Sequence, residues 1–571
     1  MSNRTIPAIG LADGAALISA AVLAPELGLD SNPGWGTGRI VLLCLGLLFV
    51  VLSASVLWFG DRRPDFLQRM QGSAPLNTTA LVGHLWLVVL LIYIWFITYG
   101  QWWVWNHTTS YYDRLANSFL AGHLYIDSKP DAALLAAPSP YTPGSRPPIQ
   151  NNIWDMSLYQ GKFYLYWGPV PAVLLAPLKF LTGRKIADNY LVFFYYAALL
   201  VINSLIILKL WKRLYPNVPA WLVFPCIPLV GLISPIVWSL SEPNIYNAAV
   251  GAAQFFFMGG IFCAILAFDR EESVSRGYLT LAGLFWVGAV GTRALYAITI
   301  IPATLLTFRQ IMRHNGTRKG PNQLPVWIAS LAAPLFLGAM ALGWYNWARF
   351  GSPFEFGLRY QITIWDLNKL YPALFLPAYF FSNLLVYVFQ PFQFIPRFPY
   401  IEPTLAADFF RAINFAPPPL YYAGRFVGLF FSTPIALLGF SYFLHTRAAP
   451  SIEGGEAARS EISRFVHIVL LSSLVSGFLL LLLFFVGSER YLVDVVSPLC
   501  LLVVLAIWRG HDLGFQTPAL GKRFFAGIAS VFIYLSMIFG ILFGFSAETN
   551  PLQSQNPALF NLIAHFLPVF K

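Results

Sequence analysis

Apolar stretches of about twenty residues recur along the chain, the length needed to cross a hydrocarbon core of roughly 30 Å. They cover Ile40–Phe59, Val82–Trp105, Asn189–Leu210, Ala220–Leu240, Ile245–Phe268, Tyr278–Gly291 and Leu295–Phe308. Trp327–Trp347, Tyr421–Leu444, Phe465–Val486, Tyr491–Trp508 and Phe524–Phe545 follow, and Ile9–Leu29 adds a weaker candidate broken by Asp13 and Glu26. Asp13 also spoils any reading of that segment as a signal peptide. Of the 571 residues only 11% are charged, against 57% hydrophobic. A soluble chain carries roughly 25% charged residues, so soluble, fibrous and disordered classes all fall away. The expected fold is an all-α polytopic membrane protein with about 12–13 transmembrane helices.

The formal charge of +11 has an ordinary cause, because Lys and Arg collect in cytoplasmic loops. Arg62, Arg63 and Arg69, Lys209, Lys212 and Arg213, Arg270 and Arg276 mark one set of short loops. Arg309, Arg313, Arg318, Lys319, Arg447, Arg459, Arg464, Arg509, Lys522 and Arg523 belong to the same set. The alternating loops offer only Arg39, Arg293 and Arg490. No basic run interleaved with aromatics lies outside the spans, so nucleic acid is not an expected partner. Cys44, Cys226, Cys263 and Cys500 all lie in apolar stretches and read as free packing cysteines.

That bias places two long loops, 106–188 and 348–420, on the outer face. Loops of that length usually carry function. Within them, Phe163–Leu181 and Tyr371–Phe394 are apolar but broken by prolines, and read as interfacial or re-entrant segments. The chain divides into an N-terminal helical hairpin (1–81), a transmembrane core with both loops (82–508) and a C-terminal span with an outer tail (509–571).

Neither a P-loop nor a zinc-binding HExxH is present, and no Asp-x-Asp occurs, so nothing suggests a nucleotide site. The informative charges stand at the outer ends of spans. Asp113, in Ser110-Tyr111-Tyr112-Asp113-Arg114, could serve as a general base, or could simply pair with Arg114. Asp155 and Lys162 flank a turn at Gly161 among tyrosines and Trp167, a setting for a carbohydrate, a polar headgroup or a plain aromatic belt. Arg184, Lys185, Glu242, Arg293 and Glu489 with Arg490 abut the outer leaflet. Arg293 breaks a long apolar region in Gly288-Ala289-Val290-Gly291-Thr292-Arg293, where a lipid phosphate or a pairing with Glu242 or Glu489 would satisfy it.

Several blocks, in this order, resemble the GT-C superfamily of polytopic glycosyltransferases, especially its protein O-mannosyltransferase and lipid A aminoarabinose transferase branch. They are Tyr111-Tyr112-Asp113-Arg114-Leu115-Ala116, Trp167-Gly168-Pro169-Val170-Pro171, Gly291-Thr292-Arg293 and Glu489-Arg490-Tyr491 followed by Pro498. Asp155-Met156-Ser157-Leu158-Tyr159-Gln160-Gly161-Lys162 and Tyr345-Asn346-Trp347-Ala348-Arg349-Phe350-Gly351 resemble blocks of bacterial members. The resemblance spans about Val82 to Trp508. It implies an inverting polyprenyl-phosphate-sugar-dependent glycosyltransferase of the bacterial inner membrane with a periplasmic active face. The implied partners are a polyprenyl-phosphate-linked sugar, an envelope glycan, lipid or protein acceptor, and the bilayer.

The family's carboxylate stands a few residues before the tyrosine, where this chain reads Asn106-His107-Thr108-Thr109-Ser110. The resemblance thus leaves the base to Asp113, nearest that position, or to Asp155, with His107 a lesser alternative. It assigns Lys162, Arg184, Lys185, Glu242, Arg293 and Arg490 to the carrier phosphate or substrate. No cofactor is implied with certainty, no metal ligand is nominated, and a divalent metal stays open. The competing readings are a lipid-linked glycan transporter or polymerase, and a catalytically silent scaffold.

Overall fold

The computed structural model describes residues 5–30, 34–62, 74–106, 109–149, 153–269, 273–317, 322–439, 455–513 and 519–570. Its helices, in chain order, are α1 (Thr5–Val22), α2 (Thr37–Arg62), α3 (Ala74–Ile97), α4 (Tyr111–Leu120) and α5 (Val170–Thr182). Then come α6 (Asp188–Leu214), α7 (Cys226–Leu232), α8 (Ser234–Ser241), α9 (Ile245–Ala267), α10 (Arg276–Val290) and α11 (Tyr296–Thr317). They end with α12 (Leu324–Phe350), α13 (Gly455–Leu483), α14 (Val493–Leu513), α15 (Ala519–Phe545) and α16 (Pro557–Phe566), with shorter turns left unlabelled. The protein is a multi-pass helical membrane protein. Among the described residues nine helical stretches are long and apolar enough to cross a membrane.

That number is smaller than the sequence suggests, for local reasons. Helix α10 has 15 residues and is about 22 Å long at 1.5 Å per residue, short of the core. In α11 the apolar face stops at Arg309. The expected span Tyr421–Leu444 is not a helix where it is described. Tyr422–Ala423 (β5) and Arg425–Phe426 (β6) are strands, and Leu429–Ser432 and Pro434–Gly439 are short turns of helix. Strand pairing accounts for this, because β6 joins Ile401–Leu405 (β4), which also pairs with Phe392–Phe394 (β3), while β5 runs parallel to Val486–Gly487 (β7). Residues 440–444 of that expected span lie outside the described residues, as does His107.

Close backbone contact builds the bundle. A Cβ added at Gly14 of α1 would lie 2.7 Å from the Gly46 carbonyl of α2, which is how small residues let membrane helices approach. Helix α9 sits at the centre, packed by α6, α10 and α14. Its Gly251 and Gly260 accept the rings of Tyr196 and Trp286. Cys226, Cys263 and Cys500 are buried free thiols, whereas Cys44 is exposed.

Both long connections fold together at one end of the bundle, the loop end. In the first, Ser157–Tyr159 (β1) and Lys162–Tyr164 (β2) form a hairpin whose turn, Gln160-Gly161, has φ of 48° and 70°. Positive φ at both central residues marks a type I′ turn, for which Gly is suited. Helix α5 then lies with Val173, Leu174, Leu178, Phe180 and Leu181 exposed, as an interfacial helix would. Backbone bonds stitch its start to the turn after α10, from Gly168 N to Thr292 O (2.9 Å) and from Val170 N to Gly291 O (3.0 Å).

Candidate functional site

A cavity of about 250 Å³ opens at the loop end, lined from both long connections, from α9 and from the 484–491 segment. Asp155, Tyr246, Thr363, Arg425, Arg490 and Glu548 supply much of its polar wall. Trp154, Tyr166, Trp238, Trp365, Tyr422 and Tyr491 supply aromatic faces. Aromatic faces with a few fixed polar groups are what a small polar ligand needs for shape and orientation.

Asp155 is held in an unusual backbone state, with φ +58°. L-residues rarely adopt it, so neighbours must enforce it. The second long connection does so: Asp155 N donates to Ile362 O (3.0 Å), Gln361 Nε2 to Asp155 O (3.0 Å) and Ile362 N to Met156 O (2.9 Å). The carboxylate Oδ2 accepts the Tyr246 hydroxyl, and Oδ1 is buried without a geometrically complete hydrogen bond. Burial raises the Asp155 carboxyl above its ordinary range, with Tyr246, Thr363 and Arg490 pulling the other way.

Tyr246 begins α9, whose first turn is capped by Asn244: its Oδ1 accepts from Tyr246 N (3.1 Å) and Asn247 N (3.3 Å). The Arg490 guanidinium lies 4.6 Å over the Tyr246 ring, and Arg490 Nε donates to Ser488 Oγ (3.0 Å). No carboxylate among the described residues comes within ion-pair distance of it, although Glu242 and Glu548 act on it from farther off. Asp155 and Arg490 therefore face one space with Tyr246 between them.

Other nominated residues stand elsewhere. Asp113 is buried in the first turn of α4, where it pairs with Lys179 of α5 and accepts from Ile186 N at 2.8 Å. It does not line the cavity. Arg293 reaches Asp494 at 2.6 and 2.5 Å. Glu242 is not part of the cavity lining; it accepts from Thr549 N (3.2 Å) and Oγ1 (3.1 Å), and burial with the nearby Glu548 raises its carboxyl. Lys162 lies over the Tyr125 ring at 4.4 Å, and Arg184 and Lys185 are exposed beyond α5. No cluster of three His, Cys, Asp or Glu suited to a metal occurs among the described residues.

Sequence reasoning missed Tyr246, Arg425, Thr363 and Glu548, because nothing local marks residues that meet only in the fold. Lys179 did leave a signal, a lone charge in an apolar helix that needs a partner. Asp188 also passed unnoticed. Its carboxylate accepts from Thr109 Oγ1 (2.6 Å), Tyr111 N (2.9 Å) and Tyr112 N (3.3 Å), capping α4 from a distant part of the chain.

A second cavity, of about 530 Å³, is almost wholly apolar and lies between α13, α14 and the Phe380–Gly439 region. Leu471–Leu482 and Leu499–Val503 line it, while Phe484–Tyr491 between them line the polar one. One helix–turn–helix thus serves both spaces.

No protein-family model matches the chain, and no curated protein does. Among solved structures it is similar to the Archaeoglobus fulgidus oligosaccharyltransferase in the apo form, at 13% identity and TM-score 0.44. The same archaeal enzyme, AglB, in complex with an inhibitory peptide and a dolichol-phosphate gives 13% and 0.45. Each comparison covers 86% of this chain, which spans about 60% of the archaeal chain's length. ArnT from Cupriavidus metallidurans bound to undecaprenyl phosphate matches at 11% identity and TM-score 0.40, over 85% of this chain and 79% of that one. No residue of this chain takes its role from these likenesses.

Proposed function

We propose that the protein is a glycosyltransferase that moves a sugar from a polyprenyl-phosphate carrier to an acceptor hydroxyl at the outer face of a bacterial inner membrane. The observation that carries this reading is that Asp155 meets the hydroxyl of Tyr246 and Arg490 its ring face, both in one polar cavity whose lining helix–turn–helix also lines an apolar one. The charge bias of the short loops supports an outward position for that cavity.

In this reading Asp155 takes the proton of the acceptor hydroxyl as its oxygen attacks the anomeric carbon. The bond from that carbon to the phosphate oxygen breaks, and the electron pair leaves on the phosphate. Arg490, with Arg425 at the rim, stabilises the growing negative charge, which a fixed guanidinium does well where water is scarce. A carboxyl raised by burial is a stronger base than a solvated one, and so better matched to a hydroxyl. Attack by the acceptor on the face of the sugar away from the phosphate would invert the anomeric centre. The apolar cavity suits the first prenyl units of the carrier.

Incubating the purified chain with a panel of polyprenyl-phosphate sugars tests the reading. Release of free polyprenyl phosphate with at least one donor is the expected result. No release with any donor, by a protein that is folded and in lipid, would overturn it.

A further inference from the structure

Beneath the cavity lies a buried charged pair that the proposed chemistry does not use. Arg293, in the turn after α10, is 11% exposed and Asp494, at the start of α14, is 12% exposed. Arg293 Nη1 donates to both Asp494 oxygens, at 2.6 and 2.5 Å. The Tyr296 hydroxyl lies 2.9 Å from Asp494 Oδ1 and 2.7 Å from Gln254 Oε1 of α9. Charges at such a depth are expensive unless paired, so this contact ties the α10–α11 turn, α9 and α14 at one point.

The tie sits under the cation of the cavity. Asp494 follows Arg490 by four residues, across the join between the 3₁₀ turn Glu489–Leu492 and α14. Helix α9 gives Gln254 to the tie and, two turns nearer the loop end, Tyr246 to the face of Arg490. The Arg293 guanidinium is also 5.7 Å from the Tyr491 ring. Arg293 itself is absent from the cavity lining, and its Nη1 is spent on Asp494.

We propose that Arg293 and Asp494 are positioning residues, which hold the start of α14 so that Arg490 points its guanidinium into the cavity over Tyr246. This rests on Arg490 being the anion-binding group of the proposed reaction. Arg293 then acts on the carrier phosphate only through Arg490.

Three full-length variants in lipid nanodiscs test it: Arg293→Met with Asp494→Leu, which removes the tie at constant net charge; Arg293→Asp with Asp494→Arg, which reverses it; and Tyr296→Phe. Two readouts are taken. One is the affinity for undecaprenyl phosphate, by native mass spectrometry. The other needs no lipid carrier: Ile364→Cys at the cavity, with Cys44→Ala, is labelled by an anionic and a neutral thiol reagent, and the ratio of rates reports an available guanidinium. Positioning predicts that the untied variant loses about ten-fold or more in affinity and most of its preference for the anionic reagent. The reversed pair should recover both to within about three-fold, and Tyr296→Phe should fall between. Wild-type values in the untied variant, or equal loss in the reversed pair, would overturn the proposal, the latter marking Arg293 as a direct ligand. Should the untied variant not fold, the reversed pair and Tyr296→Phe decide alone. If the wild-type chain retains no undecaprenyl phosphate, the carrier reading fails, while the thiol ratio still decides the pair.

Discussion

Two aspartates that look alike in sequence have different surroundings. Asp113 has a lysine and a backbone amide for company, and its carboxylate is spent on joining α4 to α5. Asp155 is a half-buried part of the cavity lining with a tyrosine on one oxygen and no cation among the described residues paired to it. Asp113→Ala should therefore cost stability, about 3–5 kcal/mol, because it strands the Lys179 ammonium. Thermal or denaturant unfolding measures that, and an unchanged midpoint would contradict it. Where Asp113→Asn folds, it should keep transfer, whereas Asp155→Asn should not. The Tyr246 bond carries a pH prediction. Its hydroxyl pulls the raised Asp155 carboxyl downward, so Tyr246→Phe lets it rise further. A base works deprotonated, so the acidic limb of kcat/KM should move to higher pH in that variant. A limb that stays in place would separate Asp155 from the rate.

At the scale of elements, the seating of α5 depends on one close approach. A Cβ on Gly168 would lie 2.1 Å from the Gly291 carbonyl, where backbone on both sides leaves little room to give. Gly168→Ala should lower stability by about 1–3 kcal/mol and make the β1–β2 connection more open to proteolysis. Native-like resistance would contradict that. Much at this scale was legible. The long apolar helices α3, α6 and α9, the Gly161 turn and the short helix that begins among prolines at 169–171 follow from apolar length and turn chemistry. Tyr421–Leu444 was misread because a run of apolar residues carries no mark of the strands it will pair with, here β4 and β7. Arg293 was legible as a buried cation and not as a partner of Asp494, which lies 201 residues away in sequence.

For the whole molecule, one helix–turn–helix lines both the polar cavity and the apolar one. Such an arrangement suits an amphiphile whose head must react while its tail stays in lipid. Leu499→Trp, which fills the apolar space, should raise the KM for the carrier about ten-fold while changing kcat less. An unaltered KM would place the tail elsewhere. Cavities are long-range products of folding, so the sequence showed the charges at the loop end and not the space they share.

The most direct test of the account compares wild type with Asp155→Asn, measuring sugar transfer from a polyprenyl-phosphate donor and binding of undecaprenyl phosphate on the same samples. A general base predicts that transfer falls by about 10²–10⁴-fold while carrier affinity stays within a few-fold of wild type. Transfer at the wild-type rate in Asp155→Asn, with the carrier bound, would contradict the role given to that carboxylate and to the cavity it faces.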